Sequence, residues 1–380
     1  MVRISDIFKR LTPEKTPSTP EEKYKEEPSR ENPPEEIKQK SPFYKPEHSL
    51  PEAAVGKKEA EDVSSMHIAK VMRETPSDKA RSSNLYLMGI QLIKEILTNS
   101  EDLKPINLVQ IKQWISDIVD HLIFPDAELP RLFYEYISEN YLYNHMVNTA
   151  IMATEIGLGL GYNKLQLNEL GLAGFLHDIG MIKVGKIETQ ERRLTENEYN
   201  EIKNHPIYGA DILSKINGIA DALIYVAKEE HERMNGTGYP SGLKDSEISE
   251  YARIIMIVDV YEALTHERPY RKKNSPHEAV KEMIANNQLF DSNILKALIN
   301  KVGVYPISSW VELNSNEICK VMVNNNELPL RPVVHILFDS SRQRLKEPRV
   351  VNLAKQFNLF IKKSLSDEEL AKEVKEPLES

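Results

Sequence analysis

Imidazoles and carboxylates follow one another through the middle of this chain in an order that suits metal chemistry. They are His145, the pair His177-Asp178, His205, the run Glu230-His231-Glu232, and Asp259. Ligands of these types suit Zn, Fe or Mn, not a soft-metal site. A carboxylate can bridge two cations while imidazoles fill the outer positions. Two cations about 4 Å apart then share a hydroxide and steady a phosphoryl group during in-line displacement. His177-Asp178 is the natural centre of such a site, because neighbours at a helix end can aim different atoms at the same pair of metals. The other ligands must then come from separate helices of a bundle.

A lone histidine is more often a surface or core residue than a ligand. His48, His67, His121, His266, His277 and His335 keep that default. The pair gains weight from its surroundings, with Phe175-Leu176 before it and Ile179-Gly180 after it. Buried charged groups beside apolar residues are costly unless something compensates them, and a metal would.

Two further clusters accompany the ligand-type residues. Asn235-Gly236-Thr237-Gly238-Tyr239-Pro240 is a loop whose glycines and proline permit a sharp turn and a close backbone approach. Its place just after His231 favours a lid over the metals rather than an ordinary surface turn. Gly238 would let the backbone approach a ligand, and Tyr239 would stack on a purine or donate to phosphate. Arg268 and Arg271 flank Pro269-Tyr270. Guanidinium groups match phosphate oxygens bidentately, although taken alone such a pair reads as solvated surface.

Several elements must position these residues. Residues 1–80 are rich in Pro, Glu and Lys and poor in large apolar side chains, so they are expected to stay disordered as a mixed-charge tether. A short apolar face at Val2, Ile4, Ile7, Phe8 and Leu11 would suit docking to a protein partner or membrane surface, against the plainer reading of a frayed terminus. Residues 81–130 carry helical spacing in Leu85, Met88, Leu92, Ile96 and again in Ile111, Trp114, Ile115, Ile118, Leu122. Residues 131–304 continue as helices, expected near 142–160, 166–178, 196–214, 219–231, 248–265, 276–287 and 292–301. Gly159 and Gly161 would close the first of these. No βαβ alternation is visible, so this part is expected to be an all-α bundle. Residues 305–380 are read as a small β appendage with strands near 310–313, 318–323 and 333–338, followed by a charged tail.

Composition sets further bounds. The 380 residues carry a formal charge of −9 with no basic face, which argues against a nucleic-acid polymer as partner. The single cysteine, Cys319, excludes an internal disulfide. No run of about 18 apolar residues is present and no signal core is visible, so the expectation is a cytoplasmic protein without a transmembrane segment.

Four stretches together resemble the HD-GYP family of HD phosphohydrolases. They are Phe175 to Gly180 (FLHDIG), His205 to Ala210 (HPIYGA), His231 to Gly242 (HERMNGTGYPSG), and Ala252 to Arg271 (ARIIMIVDVYEALTHERPYR). The resemblance covers roughly 130–310 and implies an HD-type helical bundle. It further implies hydrolysis of cyclic di-GMP to linear pGpG or GMP. The implied metal ligands are His145, His177, Asp178, His205, His231 and Asp259, with Asp178 bridging two divalent ions, Fe or Mn. Implied substrate contacts are Tyr239, Arg268 and Arg271.

The chain departs from the family pattern in ways that bear on catalysis. Glu230 stands where relatives have a second histidine, so it is expected as a ligand that adds negative charge. Met181 replaces a lysine that would point at phosphate, and Lys183 or Lys186 is the candidate substitute. Asn235 replaces an aspartate before the lid glycine, and Glu262 adds a carboxylate after the last ligand. Tyr141 stands where three-metal members place a glutamate, which favours two metals. Three readings follow: an active cyclic di-GMP phosphodiesterase, a weakened domain that binds the dinucleotide or a protein, and a hydrolase of another phosphate ester.

Overall fold

Helix-period apolar stripes run through most of the chain, and the computed structural model folds them into a bundle. It describes residues 76–99, 106–123, 128–135, 140–185, 192, 194–267, 273–325 and 328–374. Most of the expected tether, with its short apolar face, lies outside the described residues. The described residues begin at Pro76, inside the stretch expected as tether. Helix α1 begins at Pro76, a residue whose fixed φ and missing N–H suit a first helical turn.

The first helices, α1 (Pro76–Asn99), α2 (Leu108–Ile123) and α3 (Glu128–Glu135), pack outside the site. Helix α2 buries Ile111, Trp114, Ile115, Ile118 and Leu122, the stripe read from the sequence. Trp114 locks α1 to α2. Its Nε1 donates to the Leu85 carbonyl at 2.8 Å, and its ring lies 4.6 Å from that of Phe175. Burying one such side chain stabilises by roughly 1.5–3 kcal/mol.

Helices α4 (Tyr141–Gly159) and α10 (Glu250–Thr265) are buried nearly all round. That burial is why polar residues on them face one another and not water. Asn140 caps α4 by accepting from the Leu142 N–H at 3.0 Å. The helix ends with Gly161 at φ +82°, as the two glycines suggested. Helix α5 (Lys164–Leu176) starts from a capping box between Asn163 and Gln166 and runs straight into a 3₁₀ turn, His177–Gly180.

Gly180 is required where it stands: a Cβ there would collide with the carbonyl of His205. The close approach joins the turn to α8 (His205–Ser214), which follows α6 (Met181–Val184) and α7 (Glu196–Ile202). The stretch expected as one helix over 196–214 is thus two, because Lys203 and Asn204 break it. Helices α9 (Asp221–Glu229), α11 (Pro276–Ala285) and α12 (Ser292–Val302) complete the bundle.

A five-stranded antiparallel sheet follows, in the order β4-β3-β2-β1-β5. β1 (Trp310–Leu313), β2 (Ile318–Val323) and β3 (Val333–Phe338) are where alternating apolar residues put them. The stretch read as a charged tail holds β4 (Arg344–Asn352), β5 (Ile361–Leu365) and α13 (Asp367–Glu373). β4 is an edge strand with mostly exposed side chains, so it lacks the apolar alternation that marks a half-buried strand. Asn324 ties the sheet to the bundle by donating to the Val302 carbonyl at 2.7 Å, at the end of α12. No helix among the described residues is long and apolar enough to cross a membrane.

Candidate metal centre

The sequence places His145 at the fifth residue of α4, His177 and Asp178 on the 3₁₀ turn, and His205 at the first residue of α8. Glu230 and His231 follow α9, and Asp259 lies within α10. All seven side chains converge. They form two groups whose ligand atoms lie within 4.8 Å of one another: Asp178, His205, Glu230 and His231 in one, and His145, His177 and Asp259 in the other.

Asp178 joins the two groups. One of its oxygens lies 3.1 Å from His205 Nε2, and the other lies 3.3 Å from His145 Nε2. Glu230 reaches 3.2 Å from His205 Nε2 through Oε1 and 3.7 Å from His177 Nε2 through Oε2. Asp259 closes the ring from α10, 3.5 Å from His145 Nε2 and 3.8 Å from His231 Nδ1.

The ring nitrogens are oriented from behind. His177 Nδ1 donates to the Gly174 carbonyl at 2.8 Å, and His205 Nδ1 donates to the Ile202 carbonyl at 2.6 Å. A carbonyl can only accept, so in the neutral tautomer each Nε2 carries its lone pair toward the centre. His145 Nδ1 donates to Glu262 Oε2 at 2.6 Å, which turns its Nε2 inward as well. These Nε2 atoms meet in pairs, His145 with His177 at 3.1 Å and His205 with His231 at 3.0 Å.

Such a centre presents acceptors to acceptors. Lone pairs and carboxylate oxygens at these distances repel unless positive charge lies among them. Burial opposes protonation of His145, yet Glu262 and Asp178 outweigh it and push its pKa up to about 10. His205 goes up to about 10 in the same way, Asp178 and Glu230 outweighing burial. Asp178 stays ionised despite burial, because His177, His145 and His205 hold it well below the usual carboxylate range. Burial, with the charges of His205 and Arg233, keeps His231 neutral. Glu230 is wholly buried and its Oε2 has no hydrogen-bond partner. Burial outweighs the pull of His177 and raises its pKa. An orphaned carboxylate oxygen facing inward imidazole lone pairs is a donor set fit for divalent cations.

The lid lies against this centre. The Tyr239 ring stacks on His231 at 4.8 Å, and the Lys203 ammonium lies 4.9 Å from the centre of the same ring. Gly238 packs so closely on the backbone of Glu232 and Arg233 that a Cβ would not fit. Glu232 does not join the ligand groups. It accepts from the Ser241 N–H at 2.7 Å and the Leu243 N–H at 3.0 Å, which fixes the lid loop.

Lys183 does not converge on the centre either. On α6, Met181 and Val184 pack into the core and leave Lys183 facing solvent. Arg268 and Arg271 lie outside the described residues. Among the histidines given the default reading, His121 bonds Ser82 at 2.9 Å and His277 stacks on Tyr305 at 4.7 Å. The role of Glu262 behind His145 was not read from the sequence; its only signal was its place one turn after Asp259. The cation at Lys203 was missed too, because it lies far from the lid in sequence.

The chain matches the family described as "HD domain" over residues 131–294, and the family described as "KOW domain associated with HD domain" over residues 310–373. Residues 131–294, which hold all seven ligand-type side chains, thus resemble an HD domain. The chain is 32% identical over 241 residues to a protein of Pseudomonas aeruginosa named cyclic di-GMP phosphodiesterase PA4108, covering 62% of this chain and 58% of that protein. It is 31% identical over 237 residues to the cyclic di-GMP phosphodiesterase PdeB of Borreliella burgdorferi, covering 62% of each chain. The chain therefore spans about three-fifths of the length of these relatives. The structure of Bd1817, an HDG"Y"P protein from Bdellovibrio bacteriovorus, has the same fold, with a TM-score of 0.50 at 17% identity over 63% of this chain and 79% of that one.

Proposed function

We propose that this chain is a metal-dependent phosphodiesterase that hydrolyses cyclic di-GMP to linear pGpG, GMP or both. The observation that carries the reading is Asp178, whose two oxygens reach histidines of both ligand groups. Two divalent ions, iron or manganese, held by His145, His177, Asp259 and by His205, Glu230, His231 with Asp178 between, would supply an activated water and neutralise phosphate charge.

The chain's own residues do the rest. Gly174, Ile202 and Glu262 fix the imidazole orientations from behind. Asp178, Glu230 and Asp259 set three negative charges against four from two divalent ions, and Glu262 behind His145 adds a fourth. A histidine in place of Glu230 would carry one negative charge fewer, so this site holds an anionic diester less strongly than a site with that histidine. Tyr239 offers its ring as a wall for a guanine, and Lys203 behind that ring raises the local positive potential. Arg268 and Arg271 are proposed as phosphate contacts from the segment after α10. The activity is placed in the cytoplasm, with any protein partner recruited through residues 1–75.

A second reading rests on Met181 and Lys183. The position that would aim a cation at phosphate is a buried methionine, and Lys183, two residues on, faces solvent. A domain so altered binds the dinucleotide and releases it uncleaved. The test is turnover by manganese- or iron-loaded protein against a panel of cyclic di-GMP, another cyclic dinucleotide and a simple phosphodiester. Cleavage of cyclic di-GMP that disappears in Asp178→Asn supports the first reading. Binding without cleavage supports the second, and cleavage of the simple ester alone removes both.

A further inference from the structure

One hydrogen-bonded chain leaves the metal centre and ends on a helix outside the HD domain. His145 Nδ1 donates to Glu262 Oε2 at 2.6 Å. The other oxygen of Glu262 accepts from Asn148 Nδ2 at 3.3 Å. Asn148 Oδ1 accepts in turn from the Tyr86 hydroxyl at 2.6 Å. Asn148 lies three residues after His145, so both project from the same face of α4. Tyr86 belongs to α1, which precedes the region matched by the HD domain at residue 131.

Each link is buried. Tyr86 is 1% exposed, Asn148 0% and Glu262 2%, so no solvent competes for these bonds. An amide has one oxygen to accept and one nitrogen to donate. Because Tyr86 supplies the proton to the Asn148 oxygen, the Asn148 nitrogen must face Glu262. The Tyr86 hydroxyl therefore sets the rotation of Asn148. Asn148, together with His266 Nδ1 at 3.3 Å, then holds one oxygen of Glu262 and leaves the other to His145. Packing of Tyr86 alone would require no hydroxyl at this point.

We infer that Tyr86 is a positioning residue for the proposed metal site, acting through Asn148 and Glu262 on His145, so that α1 is part of the support of the metal centre. The inference rests on the metal-dependent reading above. It predicts an asymmetry: His145 belongs to one ligand group, so loss of the hydroxyl should weaken one cation and spare the other. A general loosening of the fold would weaken both.

Stepwise binding of Mn²⁺ to the metal-stripped full chain, followed by titration calorimetry, tests this. Removing an outer partner of a metal-binding histidine typically costs about 10–100-fold in affinity, and Tyr86 acts two hydrogen bonds further out. Tyr86→Phe should weaken one Mn²⁺ step by roughly 3–10-fold, leave the other unchanged, and barely move the thermal midpoint of the stripped protein. Asn148→Ser should weaken the same step at least as much, and adding Tyr86→Phe to it should bring no further loss. Unchanged Mn²⁺ affinity in Tyr86→Phe would overturn the inference, as would equal loss at both steps or additive losses in the double variant. Wild-type protein that binds two Mn²⁺ and turns over cyclic di-GMP in those cases leaves the functional reading standing. Wild-type protein that binds none removes both.

Discussion

Glu230→Gln separates a ligand from a structural residue, because its two consequences have opposite signs. The side chain is wholly buried, lies 3.2 Å from His205 and leaves Oε2 without a hydrogen-bond partner. Its pKa is raised, burial outweighing His177, so the folded state binds this proton more tightly than the unfolded chain. The corresponding stability is present at low pH and is lost as pH rises through the raised value. At neutral pH the ionised group is therefore a cost to the stripped protein. Relieving a buried unsatisfied group contributes about 1–3 kcal/mol. Glutamine keeps the shape without the charge, so the stripped variant should melt at the same temperature as wild type or above it.

With Mn²⁺ present the sign reverses. At a thousandfold excess over its dissociation constant a bound ligand stabilises by about 4.1 kcal/mol. A hundredfold weaker constant leaves about 1.4 kcal/mol by the same relation. The loss of about 2.7 kcal/mol corresponds to roughly 5–10 °C for a domain of this size. Thermal unfolding of wild type and variant, each with chelator and with Mn²⁺, reads both effects. A variant that is clearly destabilised when stripped yet gains as much from Mn²⁺ as wild type would show Glu230 to be structural and refute the reasoning.

Four other outcomes are expected. Asp178→Asn should lower kcat for cyclic di-GMP by at least about three orders of magnitude, the scale of several kcal/mol of charge stabilisation, as read in a steady-state assay. Lys203→Met removes the cation behind Tyr239 and should raise KM about 3–10-fold with a smaller change in kcat. His145 and His205 are raised to about 10, so their stabilising charge is fully present below about pH 6.5 and lost as pH rises through about 10. Metal must displace those protons, so Mn²⁺ affinity should increase with pH, and calorimetry in buffers of different ionisation heat should show proton release. Gly180→Ala places a methyl group against the His205 carbonyl and should yield little folded protein, judged by circular dichroism of the soluble fraction.

The ligand-type residues were readable from the sequence because their residue types are unusual inside an apolar helical pattern. His177-Asp178 between Leu176 and Ile179 is a charged pair in an apolar setting, His205 and Glu230-His231 fall at helix ends that face it, and Asp259 faces it from the middle of α10. The sheet was readable only where strands are half-buried. β1, β2 and β3 alternate or run apolar, whereas β4 exposes most of its side chains at the sheet edge. Contacts between distant segments were not readable at all. No spacing rule links Tyr86 to Asn148 or Lys203 to Tyr239, because both pairs are made by packing of separate elements. Lys183 shows the same limit in reverse. It lies five residues after Asp178, yet the turn of α6 directs it to solvent.

The central claim is that two cations occupy the space around Asp178. Anomalous diffraction from crystals of this protein grown with Mn²⁺ tests it most directly. The account predicts two peaks flanking the Asp178 carboxylate, one beside His145, His177 and Asp259 and the other beside His205, Glu230 and His231. No peak at these side chains in Mn²⁺-saturated crystals, or Mn²⁺ bound only elsewhere on the chain, would contradict it.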